Sequence, residues 1–455
     1  MIVTTKYGKI EGITENGCEI FKGIPYAKPP VGKLRFHKPE KPESWEGIYR
    51  ADKFRFRSMQ GPDRGGFYHK EFYSNPEFDL PMSEDSLYLN IWIPVNRAEE
   101  NLPVAIYVHG GAFMGGAGSN LPFVCNELAK SGVIVVTINY RLGAFGFLCH
   151  PLLGVAGENE AGGNYGLWDQ LEAVTWVKEN IVNFGGDKEN ITVFGQSAGA
   201  MSLQALAVTE KAEGLYQRMI LQSGGGYRNP LAEYRRIEQA SEIAEELLEA
   251  LGIQGKEWME SEEKRQAALD ALYKTSAKDL MQAVGKVTAS SFEQKKGIPF
   301  VPVIDGELLK KDGNLLIEEG KYHHVSYMLG ANANDLTAEG QPDVSPETNL
   351  MHQGDVAFAR MANMHDSNSA YVYYFDRKMP GDESGAFHSA ELWYVFGSLD
   401  YCWRPLESAD YQLSKKMISY WSNFMKTGNP NEQGKDEWKP CTKEEPYFQV
   451  LDVDK

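Results

Sequence analysis

The strongest constraint on the fold is an alternation. Short β-branched or aromatic runs recur between longer helical patterns: VAIYVHG (104–110), VIVVTINY (133–140), ITVFG (191–195), RMILQSG (218–224), VSYMLG (325–330) and YVYYFD (371–376). Each run is apolar on both faces, as a strand covered on both sides must be. Between them, residues 166–181 place Leu167, Leu171, Val174, Val177 and Ile181 on one helical stripe. Strand and helix in repetition imply an α/β fold: a central, mostly parallel sheet with helices on both faces. From about 230 to 290 the chain turns Glu- and Lys-rich, as in ASEIAEELLEALG. No Pro/Ser-rich linker sets this stretch apart, so we expect a helical excursion within a single domain spanning 1–455.

Charge and cysteine usage exclude several function classes. Lys and Arg number 46 against 63 Asp and Glu, a formal net charge of −17. Such a surface repels nucleic acid and anionic membrane. The first residues, MIVTTKYGKIEG, carry no basic and apolar leader, and no run approaches the ~18 apolar residues of a membrane helix. Five cysteines, Cys18, Cys125, Cys149, Cys402 and Cys441, form no C-x-x-C pair. They read as free thiols in a reducing cytoplasm rather than a disulfide framework or zinc site. The nine histidines include no H-E-x-x-H, and His323-His324 reads as surface polarity, so neither metal nor cofactor is expected.

Within ITVFGQSAGA (191–200), Ser197 stands between glycines at the end of an expected strand and the start of a helix. Gly-x-Ser-x-Gly alone is frequent by chance, so a nucleophile and an ordinary turn serine both remain open. Active sites of such sheets lie beyond the carboxyl ends of the strands, and Ser197 is at one of them. Gly195, Ala198 and Gly199 permit the tight turn, and the N–H groups opening the next helix favour an anion. A second glycine loop, YVHGGAFMGGAGSN (107–120), follows another expected strand. It lacks the lysine of a Walker loop, and Leu121 stands where a dinucleotide fingerprint requires its last glycine. His-Gly-Gly here is instead the oxyanion-loop pattern of lipases and esterases.

Taken together, the chain resembles the type-B carboxylesterases of the cholinesterase-like α/β-hydrolase family, nearly end to end. The likeness rests on FKGIPYAKPPVGKLRF (21–36), SEDSLYLNIWIP (83–94), the glycine loop, NYRLGAFGFL (139–148), the long run 163–200, LQSG (221–224) and FHSAELWYVFG (387–397). The length is that of the compact bacterial members. The resemblance implies an α/β-hydrolase fold and hydrolysis of small-molecule carboxylic esters through an acyl-enzyme. It assigns Ser197 as nucleophile, His388 as general base, and the N–H groups of Gly111, Ala112 and Ala198 as the oxyanion hole. Without it, His388 is hard to choose among nine histidines. The acid departs from the family's usual glutamate: Asp335 holds that register after Gly330, with Glu339 four residues on as rival.

Other departures bear on substrate and compartment. Relatives that bind quaternary ammonium carry a tryptophan shortly before the SEDSLYLN position, but 72–82 has none. Ser58 and Ser86 stand where secreted relatives have a disulfide pair. Gln196 replaces a glutamate beside the nucleophile. Phe113 and Met114 are candidates for lining the substrate pocket. Two alternatives share the fold: a non-catalytic binding protein, and a hydrolase of amides or other acyl groups.

Overall fold

The alternation of apolar runs is resolved into one sheet by the computed structural model, which describes residues 1–62, 65–96, 101–154, 161–231, 234–253, 256–336, 344–365, 369–434 and 437–453. In chain order the strands of the main sheet are β1 (Ile13–Glu15), β2 (Cys18–Pro25), β3 (Tyr88–Pro94), β4 (Leu102–Val108), β5 (Ile134–Ile138), β6 (Gly186–Gln196), β7 (Arg218–Gln222), β8 (Ser326–Asn332), β9 (Ala370–Phe375) and β10 (Gln449–Leu451). They lie in the order β10-β9-β8-β7-β6-β4-β5-β3-β2-β1. From β10 to β5 every pairing is parallel, and β1 to β3 add an antiparallel edge. All six runs expected as strands are strands of this sheet.

Alternate side chains of each strand enter two separate cores, the outcome that a period of two on a doubly covered sheet dictates. Val104, Ile106 and Val108 join one core with Ile191, Val193, Met219 and Leu221. Ala105 and Tyr107 join the other with Phe194, Ile220 and Met328. The first core is covered by α1 (Tyr165–Asn180), whose expected stripe Leu167, Leu171, Val174 and Val177 is buried in it, and by α2 (Ala198–Ala207). The stretch expected as a helical excursion holds α3 (Ile237–Ala250), α4 (Glu262–Lys274) and α5 (Ala277–Glu293). Their Leu247, Leu272 and Val284 reach the same core. After α6 (Leu350–His365), α7 (Glu391–Phe396) and α8 (Ser408–Thr427) cover the opposite face through Trp393, Phe396, Trp421 and Phe424.

Periodicity did not reveal β2 and β3, because each contains polar or conformationally special residues. Asn90 interrupts the apolar run of β3, yet its buried amide accepts from Gly23 N–H (2.8 Å) and donates to Thr137 Oγ1 (3.0 Å). A paired polar group in a core costs little; the pattern simply cannot show the pairing.

The parallel strands finish together. Val108 pairs with both Ile138 and Gly195, Gln196 with Gln222, and Gln222 with Gly330. This shared end is where the loops converge. One of those loops is braced by a buried ion pair: Arg141 donates to Asp169 of α1 through Nε (2.8 Å) and Nη2 (2.7 Å), and its backbone N–H donates to the same carboxylate (3.0 Å). Both side chains are almost wholly enclosed. Asp169→Ala strands the guanidinium and an amide, and should lower stability by about 3–5 kcal/mol. Denaturant unfolding of the variant checks this; a loss below about 1 kcal/mol, the range of surface pairs, would show that the pair braces nothing.

Candidate active site

At the end of β6 the chain reverses into α2 within one residue. Ser197 takes φ +55° and ψ −127°, a conformation non-glycine residues rarely adopt. Its N–H donates to the Gln222 carbonyl at 2.8 Å, and its carbonyl accepts from Met201 N–H at 2.9 Å. The turn is so tight that a Cβ at Gly199 would stand 2.1 Å from the Val108 carbonyl oxygen. The serine therefore sits on top of the sheet at the start of α2, followed directly by Ala198.

The loop after β4 folds beneath the same spot. Gly111 has φ +111°, and a Cβ there would meet the Gly115 carbonyl at 2.1 Å. Ala112 and Phe113 also have positive φ, +55° and +58°. Strain of this kind persists only where the surroundings over-determine it. Its effect is to leave the N–H groups of Gly111 and Ala112 without an acceptor among the described residues, while both residues line a cavity with Ser197. His109, stacked on Tyr140 at 4.5 Å, props this loop through a 2.8 Å hydrogen bond from Nδ1 to the Gly110 carbonyl. Burial pulls its imidazole down to about 4, so it is neutral at ordinary pH.

Positive φ has a further consequence that corrects one expectation. It turns the Phe113 ring away from the loop's open side and into the core, edge-on to Phe147 at 5.1 Å. Neither Phe113 nor Met114 lines the cavity. That role falls to Tyr68, Phe72 and Tyr73, Pro122 and Phe123, and Leu336 and Leu392. The cavity measures about 380 Å³, and among the described residues no Lys, Arg, Asp or Glu lies in its wall.

His388 faces Ser197 across this cavity from a loop 191 residues further along the chain. A two-strand stitch brings it to Asp335: Asn334 and Phe387, the residues before each, form a parallel bridge. Asn334 N–H donates to the Ala386 carbonyl and its side-chain oxygen accepts from Ala386 N–H, both at 3.0 Å. Beyond the stitch, His388 Nδ1 donates to Asp335 Oδ1 at 2.5 Å. Asp335 is fully buried and also accepts from Asn332 N–H (3.1 Å) and Leu336 N–H (2.9 Å). Burial acts to raise its carboxyl, but the His388 charge and hydrogen bond, with the Asn332 amide, hold it below the ordinary value. It is thus a carboxylate at neutral pH. Glu339, the rival acid, lies outside the described residues. On the other side of the ring, the Gln196 amide nitrogen is 3.2 Å from His388 Nε2.

Motif reading missed a layer of polar groups behind Asp335. Glu391, one turn after His388, is fully buried; it accepts from Gln222 (3.2 Å) and Asn332 (2.6 Å). Burial pushes its carboxyl up to about 7. The same Asn332 amide donates to the Phe387 carbonyl at 2.7 Å, so Glu391 steadies the stitch. Asp355 of α6 is also fully buried, with both carboxylate oxygens lacking an acceptor or donor partner among the described residues, and burial keeps it far above the carboxylate range. The available signal was an acidic residue inside an otherwise apolar helix, as in AELWYVF and GDVAFA. Elsewhere, Ser58 and Ser86 are buried with their hydroxyls 3.0 Å apart.

Known proteins match the chain along most of its length. The carboxylesterase family model matches residues 1–346 and 344–455. The para-nitrobenzyl esterase of Bacillus subtilis is 37% identical over 94% of this chain and 90% of its own. A medium-chain fatty acyl-CoA hydrolase precursor of Anas platyrhynchos is 28% identical over 98% and 88%. Among solved structures, a thermophilic PNB esterase superposes with a TM-score of 0.85 at 33% identity, covering 100% of this chain and 96% of that one. A Geobacillus stearothermophilus carboxylesterase gives 0.79 at 29% identity over 99% and 96%. The chain belongs to the carboxylesterase family, hydrolases of carboxylic esters built on the α/β-hydrolase fold.

Proposed function

We propose that ester hydrolysis in this chain runs through an acyl-enzyme on Ser197, with His388 as general base and Asp335 as the acid that orients it. The observation that carries the reading is the 2.5 Å contact of His388 Nδ1 with a buried carboxylate, in a cavity shared with Ser197. A serine hydroxyl is a poor nucleophile until a base takes its proton. With Nδ1–H committed to Asp335, His388 presents the lone pair of Nε2, the tautomer that a base requires. Charge developing on the carbonyl oxygen is stabilised by the N–H groups of Gly111, Ala112 and Ala198; loss of one such donor costs ~3 kcal/mol. The alcohol leaves, and water attacks the acyl-enzyme through the same histidine.

The cavity wall points to uncharged esters with aromatic or aliphatic groups. A lining without cations among the described residues, on a chain of net charge −17, disfavours a polyanionic thioester such as the duck relative's acyl-CoA and favours small neutral esters such as a nitrobenzyl ester. Five free cysteines, and serines at the positions of the secreted disulfide, support a reducing compartment, the cytoplasm. No helix among the described residues is long and apolar enough to cross a membrane. We read the chain as one catalytic unit, with 230–290 as an excursion of it.

Ser197→Ala should reduce hydrolysis of a p-nitrophenyl ester by at least about 10³-fold with an unchanged fold, while an organophosphate labels wild type once, at Ser197. A variant keeping a tenth of the rate, or a label on another serine, contradicts the nucleophile. Asp335→Asn should lower kcat by up to ~10⁴, because an amide accommodates the wrong tautomer, and Asp335→Glu should lose less. Glu339→Gln should cost under about tenfold; a severe loss there beside a mild one in Asp335→Asn would move the acid. Activity should fall on acidification as His388 gains a proton, since only neutral Nε2 accepts one. Gln196→Glu puts a negative charge 3.2 Å from that nitrogen and should move the midpoint upward. A kcat/KM profile with an unmoved or lowered midpoint would show that residue 196 does not act on His388.

A further inference from the structure

The aromatic wall of the cavity is carried by a short surface segment, residues 67–73, in which Phe67 and Tyr68 are each 37% exposed. The segment's one carboxylate, Glu71, points the other way and has no solvent-exposed side-chain surface. It meets Arg404, whose side chain is equally enclosed, through Arg404 Nη2 to Oε1 (2.7 Å) and Nε to Oε2 (3.1 Å). Trp403 Nε1 adds a third donor to Glu71 at 2.9 Å.

Arg404 also reaches the loop that leads to His388. It donates to the Pro380 carbonyl (2.9 Å), to both oxygens of Asp382 (2.9 and 3.0 Å) and to Ser384 Oγ (3.1 Å). Its guanidinium lies over the ring of Phe387, the residue before His388, at 5.0 Å. Phe387 in turn packs edge-on to Phe67 at 4.9 Å and against Phe72 at 6.3 Å. One guanidinium thus fastens the wall to the base's own loop, from the side that substrate does not touch.

Burying a carboxylate in an exposed segment costs a large desolvation penalty that general folding does not require. We propose that Glu71 and Arg404 are specificity-determining positioning residues, a clasp that fixes Tyr68, Phe72 and Tyr73 relative to His388 and so sets the size of ester group the cavity accepts. The proposal rests on the ester-hydrolase reading of the cavity. An intact clasp keeps the wall tight around a short acyl group. A loosened one withdraws apolar contact from short esters and gives room to long ones, an effect on binding rather than on the chemical step.

The test measures kcat and KM separately for p-nitrophenyl acetate and p-nitrophenyl octanoate, in wild type, Glu71→Gln and Asp382→Asn. In Glu71→Gln the octanoate-to-acetate ratio of kcat/KM should rise by about tenfold, mainly through KM for acetate. Asp382→Asn loosens the clasp at its open end, where the side chain is 34% exposed, and should shift the ratio in the same direction by less. Organophosphate should still label each variant once per chain. A ratio within about twofold of wild type, with both esters unaffected or falling together, would overturn the clasp as a specificity determinant. Should Glu71→Gln fail to fold, an unmoved ratio in Asp382→Asn has the same force. Wild type that hydrolyses neither ester and takes no label would instead overturn the ester-hydrolase reading.

Discussion

The turn at Ser197 is the constraint on which the site is built. A non-glycine residue at φ +55° and ψ −127° stores strain of about 1–3 kcal/mol, and it is held because three strands agree on where the turn occurs. β7 supplies the Gln222 carbonyl that takes the serine's N–H, β4 supplies the Val108 carbonyl that leaves no room for a side chain at Gly199, and β6 delivers the serine. A one-residue slip between β4 and β6 would send the side chains of one strand into the opposite cores, so the packing of both cores fixes the serine's position. The strain is local; what over-determines it is global.

Asp335 and His388 depend on a second, smaller device. Fifty-three residues separate Asp335 from His388, and neither lies in regular structure, yet the Asn334–Phe387 bridge sets them one step beyond a shared register. Glu391 and Asn332 hold the bridge from below, through the Phe387 carbonyl. Asp335 has a shorter side chain than the glutamate usual in the family, and the stitch brings the two loops close enough that this side chain spans the gap. Buried, multiply hydrogen-bonded carboxylates of this kind hold their geometry because any displacement leaves a charge unpaired in a low dielectric.

What could be read from the sequence follows from these scales. The mostly parallel sheet was legible because a two-sided core makes its strands continuous apolar runs, such as 104–110 and 191–195, set between helical patterns. The glycines around Ser197 were legible because close approach forbids a Cβ. His388 was not legible from local pattern, since nothing near it marks one histidine among nine; the family resemblance singled it out. The substrate wall was illegible, and Phe113 illustrates why. In sequence it adjoins the glycine loop, but positive φ at residues 112 and 113 aims the ring into the core. The large apolar side chains of the cavity wall come from four separated segments, at 68–73, 122–123, 336 and 392, whose meeting is a property of the fold alone.

On the proposed mechanism, Ser197 and His388 act as one unit rather than as two independent contributors. Groups that share a single proton transfer are grossly non-additive: once either is lost, removing the other costs little more. The direct measurement is a double-mutant cycle on kcat for a p-nitrophenyl ester with Ser197→Ala, His388→Ala and the double variant. All three should fall by the same factor, within about tenfold, to the residual rate that binding and the oxyanion-hole amides sustain. A double variant whose loss equals the product of the two single losses would contradict it, because the histidine would then be acting on something other than the serine.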